Sequence, residues 1–138
     1  DFTDNDLPVK ILMEAYNPFI PLRSDDSGMP IAIINFKIKN TTKKSVSICL
    51  AANLMNMAGY PKLGKNVNAF KKGKNVKGIF MYSGKHKKGS PRFGTMALTT
   101  DWKNIMYTEN WLRGTWFDSL QHMWDNFSKT GRTLTQSA

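Results

Sequence analysis

Acid–base, nucleophilic and metal chemistry all need particular side chains brought close together. In this chain the candidates are ten Asp or Glu residues, two histidines and one cysteine. Asp25 and Asp26 are adjacent, but neighbours in a turn point in different directions, and the flanking Ser24, Ser27 and Gly28 are turn-forming residues. Asp118 and Asp125 are seven positions apart, a spacing that lets both share one helix face, where solvation accounts for them without catalysis. Glu14, Asp101 and Glu109 are isolated acids. His86 and His122 are thirty-six positions apart, lysines surround His86, and the spacing of a zinc site is absent. The serines and threonines include no G-x-S-x-G elbow, and GKNVNAFKKGK lacks the G-x-x-x-x-G-K-[ST] order of a phosphate loop. No catalytic residue, metal ligand or cofactor-binding residue is assigned, and no cofactor is expected.

Binding is better supplied than chemistry. From position 27 to 100 there is no Asp or Glu against fourteen Lys or Arg, more than the whole formal excess of +10. A positive surface follows unless another segment neutralises it. Lys71, Lys72, Lys74, Lys87, Lys88 and Arg92, with Lys62, Lys65, Lys77 and Lys85, are interleaved with Tyr60, Phe70, Phe80, Tyr82 and Phe93. That composition suits nucleic acid or another polyanion. Against a dedicated nucleic-acid role, the lysines lie in Gly/Asn-rich stretches, and Lys far outnumbers Arg, the better reader of bases and phosphates. Among the four tryptophans, Trp102 and Trp111 are candidates for stacking on a sugar. Trp116 and Trp124 fall on a helical apolar stripe.

The elements that must position these residues are read from period. In LPVKILMEAYNPFIPL, Val9, Ile11, Met13 and Ala15 alternate with Lys10, Leu12, Glu14 and Tyr16, which is the period of a strand. PIAIINFKIKN repeats it, with Ala32, Ile34, Phe36 and Ile38 as the expected core face. Pro18 and Pro21 between them impose an irregular extended crossing, and 24–28 a turn. A third strand is expected in VSICLAANLM, where Val46, Ile48, Leu50, Ala52 and Leu54 share a face, forming a hairpin with the second strand and burying Cys49 as a small apolar residue. Residues 57–78 show neither period and are expected to form a long basic loop. A strand resumes at Ile79–Tyr82, a second basic loop spans 84–93, and FGTMALTT makes another strand. Leu112, Trp116, Leu120, Met123, Trp124 and Phe127 recur at helical steps, predicting a helix near 113–128 that starts at a Thr115 to Asp118 capping box.

A chain of this length suits one domain spanning 1–138, since about 150 residues bury roughly 70% of their unfolded surface. Its ends read as a piece cut from a longer polypeptide. No run approaches the roughly 18 apolar residues of a membrane span and no leader is present, so the piece is expected to be soluble, with cytoplasmic and exported parents equally open. The expected fold is mainly β, an antiparallel β-sandwich incomplete at both ends with one short C-terminal helix.

The blocks LPVKILMEAYNPFIPL and DDSGMPIAIINFKIKNTTKKSVSICLAANLMN, followed in order by FGTMALTT and TWFDSLQHMWDNFSKTGR, resemble the N-terminal domain of glycoside hydrolase family 116. That family includes bile-acid β-glucosidase/glucosylceramidase and bacterial relatives. The resemblance implies a β-sandwich preceding an α/α-barrel catalytic domain, which is the expected partner, with a β-glycoside as the parent's substrate and the catalytic carboxylates in the later domain. Retaining or inverting hydrolysis needs two carboxyl groups roughly 5 to 9.5 Å apart, and no residue of this chain is carried over to that role. The expectation is a non-catalytic N-terminal domain; its rivals are an independent polyanion-binding module and a carbohydrate-binding module.

Overall fold

A computed structural model of the chain describes residue 2, residues 4–111 and residues 118–133. Among the described residues the chain is mainly β: five antiparallel strands in two sheets, one helical turn, and one short helix toward the C-terminus. It divides into two compact units, Asp1–Ile48 and Cys49–Ala138.

In the first unit, β1 (Val9–Tyr16) pairs antiparallel with β2 (Ile33–Asn40). The register sets Ile11 opposite Ile38, Met13 opposite Phe36 and Ala15 opposite Ile34. One face of the ribbon is therefore an apolar ladder, as period two requires. The other face sets Lys10 opposite Lys39 and Leu12 opposite Lys37, and the Lys37 Nζ lies 3.2 Å from Glu14 Oε1. The expected core face is not a buried one: Ile34 is 55% exposed, and Phe36 and Met13 are also exposed. A two-stranded ribbon has no second layer of its own to bury a face against. The crossing from β1 to β2 is irregular, as the prolines dictate. Where a turn was expected at 24–28, the chain closes one helical turn, α1 (Ser24–Ser27), with the Gly28 N–H donating to Ser24 O at 2.8 Å. Ser27 Oγ ties this turn back, donating to Ile20 O and accepting from Ile20 N–H, each at 3.0 Å.

The second unit is built on β3 (Asn66–Lys72), β4 (Lys77–Ser83) and β5 (Thr95–Thr100), in that spatial order. The pairing runs from Asn66↔Ser83 to Lys72↔Lys77, and from Lys77↔Thr100 to Tyr82↔Thr95. Asn68, Met81 and Met96 thus share one face with Phe70, Ile79 and Leu98, and this is the inner face, with Met81 buried. Val67, Tyr82, Thr95 and Thr99 line the outer face and are exposed. Two segments hold the inner side. In one, Asn56 Nδ2 donates to Val67 O and to Asn68 Oδ1, and Asn66 Nδ2 donates to Asn56 O and Ala58 O. In the other, Tyr107 stacks on Phe70 with centroids 4.0 Å apart, Asn68 Nδ2 donates to Glu109 O at 2.8 Å, and Glu109 Oε1 accepts the Phe70 N–H at 2.7 Å. Helix α2 (Asp118–Thr130) packs its backbone closely against no described strand. It ends at Gly131, whose φ of +64° and N–H donation to Phe127 O at 2.7 Å form a left-handed cap.

Three expectations are corrected. Residues 57–78 are not one long loop, because 66–72 form β3; its inward positions are Asn66, Asn68 and Phe70, so polar side chains mask the strand period. The segment 46–54 forms no strand: alternation chooses a face, but a strand also needs a partner edge for its N–H and C=O groups, and none pairs with it among the described residues. Cys49 in that segment is exposed rather than buried. The helix expected near 113–128 is present and ends at Thr130. Its expected start at 113–117, with Thr115 of the capping box and with Leu112 and Trp116 of the stripe, lies outside the described residues. Of the rest of the stripe, Met123 and Phe127 are half-buried, while Leu120 and Trp124 are exposed.

Candidate functional site

The carboxylates are dispersed, and several of them are engaged. Glu14 pairs with Lys37 in the first unit. In the second, Glu109 holds the Phe70 N–H and Asp125 accepts from Gln121 Nε2 at 2.7 Å within α2. Asp101 and Asp118 are exposed. Among the described residues no group of three or more His, Cys, Asp or Glu side chains gathers to hold a metal ion. His86 is half-buried, and its Nε2 lies 3.0 Å from Lys62 O; a Cβ on Gly59 would come within 2.8 Å of the His86 ring, so the ring packs closely against that glycine. His122 is exposed on α2. A shallow depression over β1–β2, lined by Phe2, Lys10, Leu12, Lys37 and Lys39, contains three lysines and no carboxylate.

The cations form the more organised feature, and the sheet sorts them. Residues 73–76 close the β3–β4 hairpin, with the Gly73 N–H donating to Val76 O at 2.8 Å. This gathers Lys71, Lys72, Lys74 and Lys77 at one end of the sheet. Because Lys77 pairs with Thr100, the chain leaving β5 passes the same end, and Lys77 Nζ donates to Lys103 O. Trp102, 73% exposed, and Lys103 therefore join the hairpin lysines. At the other end, the 84–94 connection carries Lys85, Lys87, Lys88 and Arg92 beside Lys62 and Lys65. Lys85 Nζ donates to Leu63 O at 2.9 Å and the Gly84 N–H to Lys65 O at 2.9 Å, which binds the two loops together.

Lys71, Lys72 and Lys74 are thus separated from Lys87, Lys88 and Arg92 by the length of β4, about 20 Å at 3.3 Å per residue. That exceeds the Debye length of about 8 Å at physiological salt, so the two ends act as separate positive fields. Trp111 lies with neither lysine group by sequence or pairing; it follows Glu109 and Asn110, which Asn68 anchors beside the middle of β3. Lys103 went unread in the sequence because only the strand register carries it to the hairpin. Asn56 and Glu109 went unread as organising residues because their partners are backbone groups far along the chain.

The architecture defines a mainly β module with a basic sheet end and scattered carboxylates. The family model described as beta-glucosidase 2, glycosyl-hydrolase family 116 N-term, matches residues 1–138. The chain belongs to that family, as the N-terminal domain of glycoside hydrolase family 116. A comparison with curated proteins gave no match. Among the described residues no helix is long and apolar enough to cross a membrane.

Proposed function

We propose that this chain is a non-catalytic scaffold of a retaining β-glycosidase, packing against an α/α-barrel catalytic domain of the parent protein and helping to shape the approach to its site. The parent's substrate in this reading is a β-glycoside. The observation that carries it is the apolar ladder of β1 and β2, in which Met13, Ile34 and Phe36 are exposed on one face. Among the described residues only Ala58 and Met81 are buried apolar side chains, so a chain with this much apolar surface has a strong reason to be covered. Covering a fully exposed Met, Ile or Phe is worth about 1.5–3 kcal/mol; Met13, Ile34 and Phe36 are already about half covered, so burying what remains contributes about 1 kcal/mol each toward holding two domains together.

The test is Ile34→Glu and Phe36→Glu in the full-length parent. Each should lower the temperature at which the N-terminal domain and the catalytic domain unfold together, and amides of β1 and β2 should lose protection against hydrogen exchange. The same substitutions should make the isolated chain more soluble. Unchanged melting and unchanged exchange in the full-length protein would mean that this face meets solvent and the packing reading is wrong.

A further inference from the structure

We propose that the β3–β4 hairpin end of the three-stranded sheet is a docking surface for an anionic lipid bilayer. This goes beyond the scaffold reading and does not depend on it. The hairpin places Lys71, Lys72 and Lys74, all exposed, around a projecting turn whose tip includes the exposed Val76. The neighbouring exit from β5 adds Lys103 and the exposed indole of Trp102, held there by the bond from Lys77 Nζ to Lys103 O. No acid occurs in the hairpin; Asp101 is the carboxylate that adjoins this end in sequence, and Glu109 is engaged at the Phe70 N–H.

Chemistry selects the partner. Lysines are compact point charges on long stems that reach a fluid plane of phosphates without needing fixed geometry. Tryptophan is the side chain that partitions best into the headgroup boundary, and a clustered set of lysines beside it is the pattern that binds anionic leaflets. A nucleic acid would be better served by Arg, which is absent from this end, and by successive aromatic rings along a groove; here one indole stands beside a protruding turn.

The experiment is co-sedimentation of the full-length parent protein with phosphatidylcholine vesicles, with and without phosphatidylglycerol. Binding should require the anionic lipid and weaken steeply with salt. Each unit of charge near the surface contributes about five-fold, so Lys74→Glu should lower the partition coefficient by roughly 25-fold. Trp102→Ala should lower it at least several-fold while leaving the salt dependence in place. The control is the double variant Lys87→Glu/Lys88→Glu, which makes a larger charge change at the opposite end of the sheet and should leave more binding than Lys74→Glu does. Both sets of side chains are exposed, so folding is preserved, and the melting temperature of each variant checks this. Binding that is indifferent to phosphatidylglycerol, or that falls further in the control than in Lys74→Glu, overturns the proposal. So does tight binding of a single-stranded oligonucleotide through Lys74 and Trp102 with no vesicle binding, which would assign the same end to nucleic acid. Loss of domain packing in the Ile34→Glu variant with vesicle binding retained would separate this surface from the scaffold reading.

Discussion

Glu109 is the residue whose removal most directly tests how the second unit is held. Its Oε1 accepts the Phe70 N–H at 2.7 Å on β3, a strand at the edge of the sheet, and its own carbonyl accepts from Asn68 Nδ2 at 2.8 Å. Two residues earlier, Tyr107 lies stacked on Phe70 at an interplanar angle of 5°. The carboxylate therefore occupies a backbone donor that an edge strand would otherwise leave open to another chain. A hydrogen bond to a charged acceptor contributes about 1.5–3 kcal/mol; with both partners half-buried, Glu109→Ala should cost about 2 kcal/mol. In a domain of this size that corresponds to a fall in melting temperature of roughly 5–9 °C. Glu109→Gln keeps an acceptor oxygen without the charge and should lose about half as much. Hydrogen exchange supplies the local readout: the Phe70 amide should exchange roughly thirty-fold faster in Glu109→Ala. If Ala and Gln melt together at the wild-type temperature and the Phe70 amide keeps its protection, the carboxylate does not cap this edge and the reasoning fails.

Two further perturbations probe the same unit. A Cβ on Gly78 would stand 2.0 Å from Leu98 O and 2.7 Å from the Thr99 Cα, so Gly78→Ala must push β4 and β5 apart; urea unfolding should show a loss of about 3 kcal/mol or more, and a loss under about 1 kcal/mol would contradict the pairing of Gly78 with Thr99. Asn56→Ala removes the donor to Val67 O and Asn68 Oδ1 and the acceptor of the Ala58 N–H; it should cost about 2–3 kcal/mol in thermal unfolding, and Asn56→Asp, which keeps the acceptor but turns a carboxylate oxygen onto those acceptor oxygens, should be at least as damaging. An Asp variant as stable as the wild type would remove the donor bonds from the account.

The strands that could be read in advance are those whose two faces differ in polarity. Ile11 and Met13 alternate with Lys10, Leu12 and Glu14, and Phe36 and Ile38 with Asn35, Lys37 and Lys39, so β1 and β2 declare their period and β2 its apolar side. β3 hid because its inner face carries Asn66 and Asn68, and an asparagine is a fit inward residue only when distant groups satisfy it, here Asn56, Ala58, Glu109 and Asn110. The converse error came from 46–54, which has a strand's alternation and no strand to pair with. The candidate surface followed the same rule. Lys71, Lys72, Lys74 and Trp102 were singled out by type, but their grouping apart from Lys87, Lys88 and Arg92 depends on which strand lies beside which.

By itself the order of residues determined the side-chain chemistry: an excess of lysine without nearby acids, a β-rich pattern, and a helical stripe near the end. These depend on composition and on spacings of two, three or four positions, where the covalent chain does the positioning. Tertiary structure decided which polar residues face inward, which alternating segment pairs, and which cations share a field. Those depend on hydrogen-bond partners tens of positions away, and no local period encodes where such a partner will be.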